Sequence, residues 1–69
     1  MKVILGQRLK DLRENKGIQQ KDFAKMMEIN VVTYLHYEKG QRQPPLEFIC
    51  KIAQFYGVTV DYLLGLENL

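Results

Sequence analysis

Gln20-Lys21-Asp22-Phe23-Ala24-Lys25-Met26-Met27, then Glu28-Ile29-Asn30, then Val31-Val32-Thr33-Tyr34-Leu35-His36-Tyr37-Glu38-Lys39 closed by Gly40, reads as two short helices about three residues apart. The first begins at Gln19-Gln20, a weakly signalled start because glutamine is a poor N-cap. Its apolar positions Phe23, Ala24 and Met27 share one face. Ala24 is small enough for a partner helix to approach closely, and a larger residue would wedge the two apart. Glu28 stands where the chain must reverse, a position that often takes positive φ and then favours glycine. Its occupation by another residue costs about 1 kcal/mol. Asn30 is a good N-cap for the second helix, which runs from Val31 to about Lys39. At about 100° per residue, with Tyr34 turned inward, Tyr37 and Glu38 share its side. Val32 and His36 then point the opposite way, Thr33 and Leu35 flank them, and Val31 is exposed at the first turn. Two such helices around the apolar hinge residue Ile29 form a helix-turn-helix.

Outward from this pair, Leu5, Leu9 and Leu12 recur at helical spacing and predict a first helix ending near Asn15-Lys16-Gly17, where glycine can close it in the left-handed conformation. Ile18 then enters the core. Residues 40–45 form a loop whose final proline suits the first turn of a fourth helix. That helix is expected to bury Leu46, Ile49, Ile52 and Ala53, with Phe55 or Tyr56, and to stop at Gly57. Cys50 is read as core. Thr59 caps a fifth helix with Val60, Leu63 and Leu64 on one side and Gly65 after it. Tyr34, Tyr37 and Tyr62 are expected in or near the core. The pattern is all-α, five helices in a single domain over residues 1–69.

Size and composition narrow the function. The chain has 69 residues, 46% of them apolar and 26% charged, as in an ordinary globular domain. That length leaves little room for an enzyme's pocket beside its scaffold. No acid pair, Ser-His-Asp set or phosphate-cradling glycine loop is present. His36 and Cys50 are each the only residue of their type, so neither a metal site nor a cofactor is expected. The absence of a disulfide partner for Cys50 fits a reducing compartment. No segment approaches the roughly 20 apolar residues of a membrane span, and the apolar start at residues 1–5 is too short for a signal peptide, so a cytoplasmic location is expected.

Charge is unevenly laid out. Residues 1–42 hold nine basic groups against five acidic ones, a surplus of four, while residues 43–69 hold Lys51 against Glu47, Asp61 and Glu67. A nucleic-acid binder has this asymmetry when its first helices face phosphates. The major groove of B-DNA admits one α-helix, and the second helix of a helix-turn-helix is shaped to enter it.

The series Leu9 to Arg13 with Gly17-Ile18, Gln20 with Phe23-Ala24, Ile29, Tyr37-Glu38-Lys39-Gly40, Pro44 with Leu46-Glu47, Ile52-Ala53, and Gly57-Val58-Thr59-Val60-Asp61-Tyr62-Leu63-Leu64-Gly65 resembles the phage repressor and Cro-like, or xenobiotic-response-element, helix-turn-helix family. The match runs in order over nearly the whole chain. What it implies is a compact five-helix, lambda-repressor-like DNA-binding domain that regulates transcription, usually as a two-fold dimer on a near-palindromic operator. By the same resemblance Gln20, with Lys21 beside it, holds a DNA phosphate at the start of helix 2, where free backbone N–H groups also favour an anion. Val31, Val32 and His36 occupy base-touching positions, with Thr33 nearby. Lys39, Gln41, Arg42 and Gln43 are implied to meet the phosphate backbone. Arg13 and Glu38 match a structural ion pair, and an inward Glu38 needs such a partner. The departure is Val31-Val32, where relatives commonly carry polar residues; valine can only pack, most naturally on a thymine methyl group.

An alternative on the same fold is a protein-binding regulator or antitoxin, because Val31, Val32 and Leu35 make the outward side of helix 3 apolar. Residues 58–69 carry more apolar side chains (Val58, Val60, Tyr62, Leu63, Leu64, Leu66, Leu69) than one small helix needs, which points to a homodimer contact. Such a contact would set two half-sites about 34–36 Å apart.

Overall fold

The computed structural model describes residues 4–66, which run through α1 (Ile4–Asn15), α2 (Gln20–Met26), α3 (Val31–Lys39), α4 (Leu46–Tyr56) and α5 (Val60–Leu63), with no strand among them. Lys2 of the basic set, the start of the 1–5 segment, and Glu67 and Leu69 of the C-terminal segment lie outside the described residues.

Helix α3 is bounded as its sequence expects. The Asn30 side chain accepts the Val32 N–H at 2.7 Å, and Gly40 closes the helix at φ 76°. Thr59 caps α5 in the same way, its hydroxyl accepting the Tyr62 N–H at 2.9 Å. Gln19 is the N-cap of α2 and contributes no side-chain bond there. Phe23 of α2 is fully buried and centres the core, its ring 5.1 Å from Tyr34, 5.5 Å from Phe55 and 5.7 Å from Tyr56. Ala24 is buried beside it, where its size permits α2 and α3 to pack. Leu9, Ile52 and Leu63 complete the interior from α1, α4 and α5.

In α4 the buried face differs from the sequence expectation. Leu46 is 67% exposed, Cys50 is exposed, and Phe48 is buried instead, its ring 5.3 Å from that of Tyr37. At about 100° per residue Phe48, Ile49, Ile52 and Ala53 form one arc, with Leu46 on its flank and Cys50 on the far side. Pro45 serves as the N-cap, one residue before the first turn.

Close contacts tie α1 to α3 and to α5. Gly6 is buried so tightly that a Cβ there would lie 2.4 Å from the Glu38 carbonyl oxygen and 2.9 Å from that of Tyr37. Arg8 lies with its guanidinium 4.1 Å above the Tyr62 ring, joining α1 to α5 by a cation–π contact.

Glu28 takes φ 63° in the turn between α2 and α3, the one non-glycine residue in the left-handed region among those described. Glu28→Gly removes a strain of about 1–2 kcal/mol and adds unfolded-chain entropy worth about 0.4–1 kcal/mol. The expected result is a stabilisation of about 0.5–1 kcal/mol, read as a higher urea midpoint. A midpoint at or below the wild-type value would show that the turn carries no strain.

Candidate nucleic-acid interface

The interface is built on a buried polar core. Arg13 of α1 donates from Nε to Glu38 Oε2 at 2.6 Å and from Nη2 to Oε1 at 3.3 Å, a two-pronged contact between side chains only 9% and 3% exposed. Its Nη1 donates to the Ile18 carbonyl at 2.7 Å, which fixes the chain as it leaves α1. Gln20 donates from Nε2 to the same carboxylate at 3.0 Å. One acid on α3 therefore holds α1 and the start of α2 together. Burial by itself would raise the Glu38 carboxyl, but the hydrogen bond from Arg13, with Tyr34 and Gln20 behind it, outweighs burial and holds it below its ordinary value. The Tyr34 hydroxyl is buried and has no partner at hydrogen-bond geometry among the described residues, yet it lies near enough to the carboxylate for each to shift the other. Burial first and Glu38 second push that phenol far above its ordinary value, and burial pushes Tyr56 up to about 12.

With α3 held in this way, its free face is defined. Val31 and Val32 are 39% and 54% exposed, while Thr33 and His36 are half-buried on the same helix. These are the four side chains expected to meet bases. The loop that follows is hung from α3 by its backbone. Gln41 and Arg42 both donate their N–H groups to the His36 carbonyl, at 2.9 and 3.3 Å. The side chains of Gln41, Arg42 and Gln43 are exposed, as is Lys21 on α2.

A solvent-open groove of about 740 Å³ lies between α1 and α3, lined by Ile4, Gln7 and Lys10 from α1, Gln20, and Leu35, Glu38 and Lys39 from α3. It brings together Gln20, Glu38 and Lys39 of the expected site residues. Lys21 and the loop side chains do not line it. Leu35, expected to flank the outward face, is half-buried here. The sequence pattern does not by itself single out Gln7 and Lys10 as site residues. Their spacing of three, on the side of α1 next to Gly6, is the signal that could have found them.

Residues 9–63 match the helix-turn-helix family. The chain is 36% identical over 64 residues to the HTH-type transcriptional regulator ImmR of Bacillus subtilis (strain 168), covering 93% of this chain and 50% of ImmR. It is 38% identical over 58 residues to the cryptic phage CTXphi transcriptional repressor RstR of Vibrio cholerae, covering 84% and 52% of the two proteins. An uncharacterized HTH-type transcriptional regulator of Methanocaldococcus jannaschii, MJ0272, is 35% identical over 61 residues, covering 88% of this chain and 92% of that protein. The chain thus spans about half the length of the first two.

Proposed function

The chain belongs to the helix-turn-helix family of phage repressor and Cro-like proteins, and from that premise we propose that it is a small transcriptional regulator that binds duplex DNA sequence-specifically. The observation that carries this reading is the outward face of α3, held rigidly by the Arg13–Glu38–Gln20 network and edged by cations. Val31, Val32, Thr33 and His36 touch base edges in the major groove. Gln20, Lys21, Lys39, Gln41, Arg42 and Gln43 hold the flanking phosphates. Phosphate contacts set position and base contacts set sequence, so the two sets fail differently on mutation. The Nε2 group of Gln20 has a second hydrogen beyond the one given to Glu38, and that hydrogen is available to a phosphate.

Repression is the favoured outcome because RstR is named a repressor. The protein works in the cytoplasm; no helix among the described residues is long and apolar enough to cross a membrane. It acts as a homodimer through residues 58–69 on a near-palindromic operator. The exposure of Leu66 beside exposed Ile4 supports that contact: a Cβ on the neighbouring Gly65 would come within 2.7 Å of the Ile4 side chain. DNA binding is favoured over a protein-docking α3 because Leu35 lines the groove, leaving Val31 and Val32 as a small apolar patch.

The test is selection of bound duplexes from a random-sequence pool at roughly 50 and 200 mM salt. An enriched two-fold sequence, with retention falling steeply at the higher salt, supports the reading. An unenriched pool contradicts it. Val32→Ala is expected to lose about 1 kcal/mol of discrimination at a thymine-containing step. An unchanged preference would remove Val32 from the base-reading set.

A further inference from the structure

The groove between α1 and α3 has a composition that the fold does not require. Ile4, Gln7 and Lys10 form one stripe of α1, and Leu35, Glu38 and Lys39 form the facing stripe of α3. Lys10 and Lys39 are exposed on its two walls and neither has an acidic partner among the described residues. The groove's one carboxylate, Glu38, is 3% exposed and taken up by Arg13 and Gln20, so it offers no countercharge to those lysines. Of the acids on α1, Asp11 accepts the Gln7 amide at 2.9 Å and Glu14, which stands four residues after Lys10, lies 3.9 Å from the Arg13 guanidinium. Two uncompensated ammonium groups therefore converge on an open channel next to the recognition helix.

We propose that this channel seats a DNA sugar-phosphate strand, with Lys10 of α1 and Lys39 of α3 straddling it and Gln7 supporting the α1 side. The inference rests on the DNA-binding reading above and extends it: α1 grips the duplex directly, in addition to supporting α3. A strand of anions suits it, because its two lysines stand on separate helices and its one carboxylate is already taken up by Arg13 and Gln20. A strand entering here runs beside Lys39 and so flanks the same major groove that α3 occupies. Lys10 thereby fixes how far α3 descends, acting on all sequences alike.

The experiment measures binding of a labelled random-sequence duplex by fluorescence anisotropy across roughly 50 to 200 mM salt. Lys10→Gln is expected to reduce the slope of log affinity against log salt by about 0.9 and to weaken binding roughly tenfold near 100 mM, the effect of one lost phosphate contact. Lys10→Arg keeps both slope and affinity. Lys51→Gln, which removes one charge from α4 outside the groove, keeps the slope. Circular dichroism melting checks that the exposed Lys10 substitutions leave the fold intact. A wild-type slope for Lys10→Gln overturns the inference while leaving the DNA-binding reading in place. An equal loss in Lys10→Gln and Lys51→Gln also overturns it, since overall charge would then suffice. Failure of the wild-type protein to retain the duplex overturns both.

Discussion

Glu38→Ala is expected to destabilise the domain by about 3–5 kcal/mol, because it leaves the Arg13 guanidinium buried without its counter-charge. The pair joins α1 to α3 across 25 residues of sequence, and neither side chain can turn to solvent without opening that contact. The loss should have a pH signature of known sign. The folded-state carboxyl is depressed, so its contribution is present above the unfolded value near 4.3 and fades as pH falls through the folded value. Urea midpoints of wild type and Glu38→Ala should therefore converge in acid and differ most near neutrality. The double variant Arg13→Met with Glu38→Leu removes both charges and should recover much of the loss, short of wild type because the Ile18 carbonyl also loses its donor. A Glu38→Ala protein within about 1 kcal/mol of wild type would place the pair among ordinary surface contacts.

Gly6→Ala carries the second large effect. Alanine would ordinarily strengthen a helix by about 0.5–1 kcal/mol over glycine. Here its methyl would meet two backbone carbonyl oxygens of α3, and backbone cannot rotate away as a side chain can. Relief requires α1 to lift from α3, which also stretches the Arg13–Glu38 contact. The expected net loss is about 1–3 kcal/mol, the usual range for overpacking. It should be accompanied by weaker DNA retention, since α1 and α3 share the groove. A stabilised Gly6→Ala protein would contradict the close approach.

What could be read from the chain and what could not divides along the range of the interactions. The ends of α3 are local events: Asn30 bonds to a group two residues away, and Gly40 needs only its own φ. The Arg13–Glu38 pair is long-range, yet it could be anticipated because an inward carboxylate demands a partner and the family resemblance supplied one. Periodicity alone permits more than one buried arc on α4, because Leu46, Phe48, Ile49, Cys50 and Ile52 are all apolar. Contact with Tyr37 of α3 is what selects Phe48. Gly6, Gln7 and Lys10 acquire meaning only from the crossing of α1 over α3. The local trace of that crossing is slight, no more than the spacing of three between Gln7 and Lys10 beside Gly6.

The most direct measurement is an amide chemical-shift map of the labelled protein titrated with a duplex recovered from the selection. The expected result is perturbation concentrated on Val31, Val32, Thr33 and His36, with a second set at Gln20, Lys21 and residues 39–43. Perturbations confined to α4 and α5, or no perturbation even in dilute buffer, would contradict the insertion of α3 into DNA.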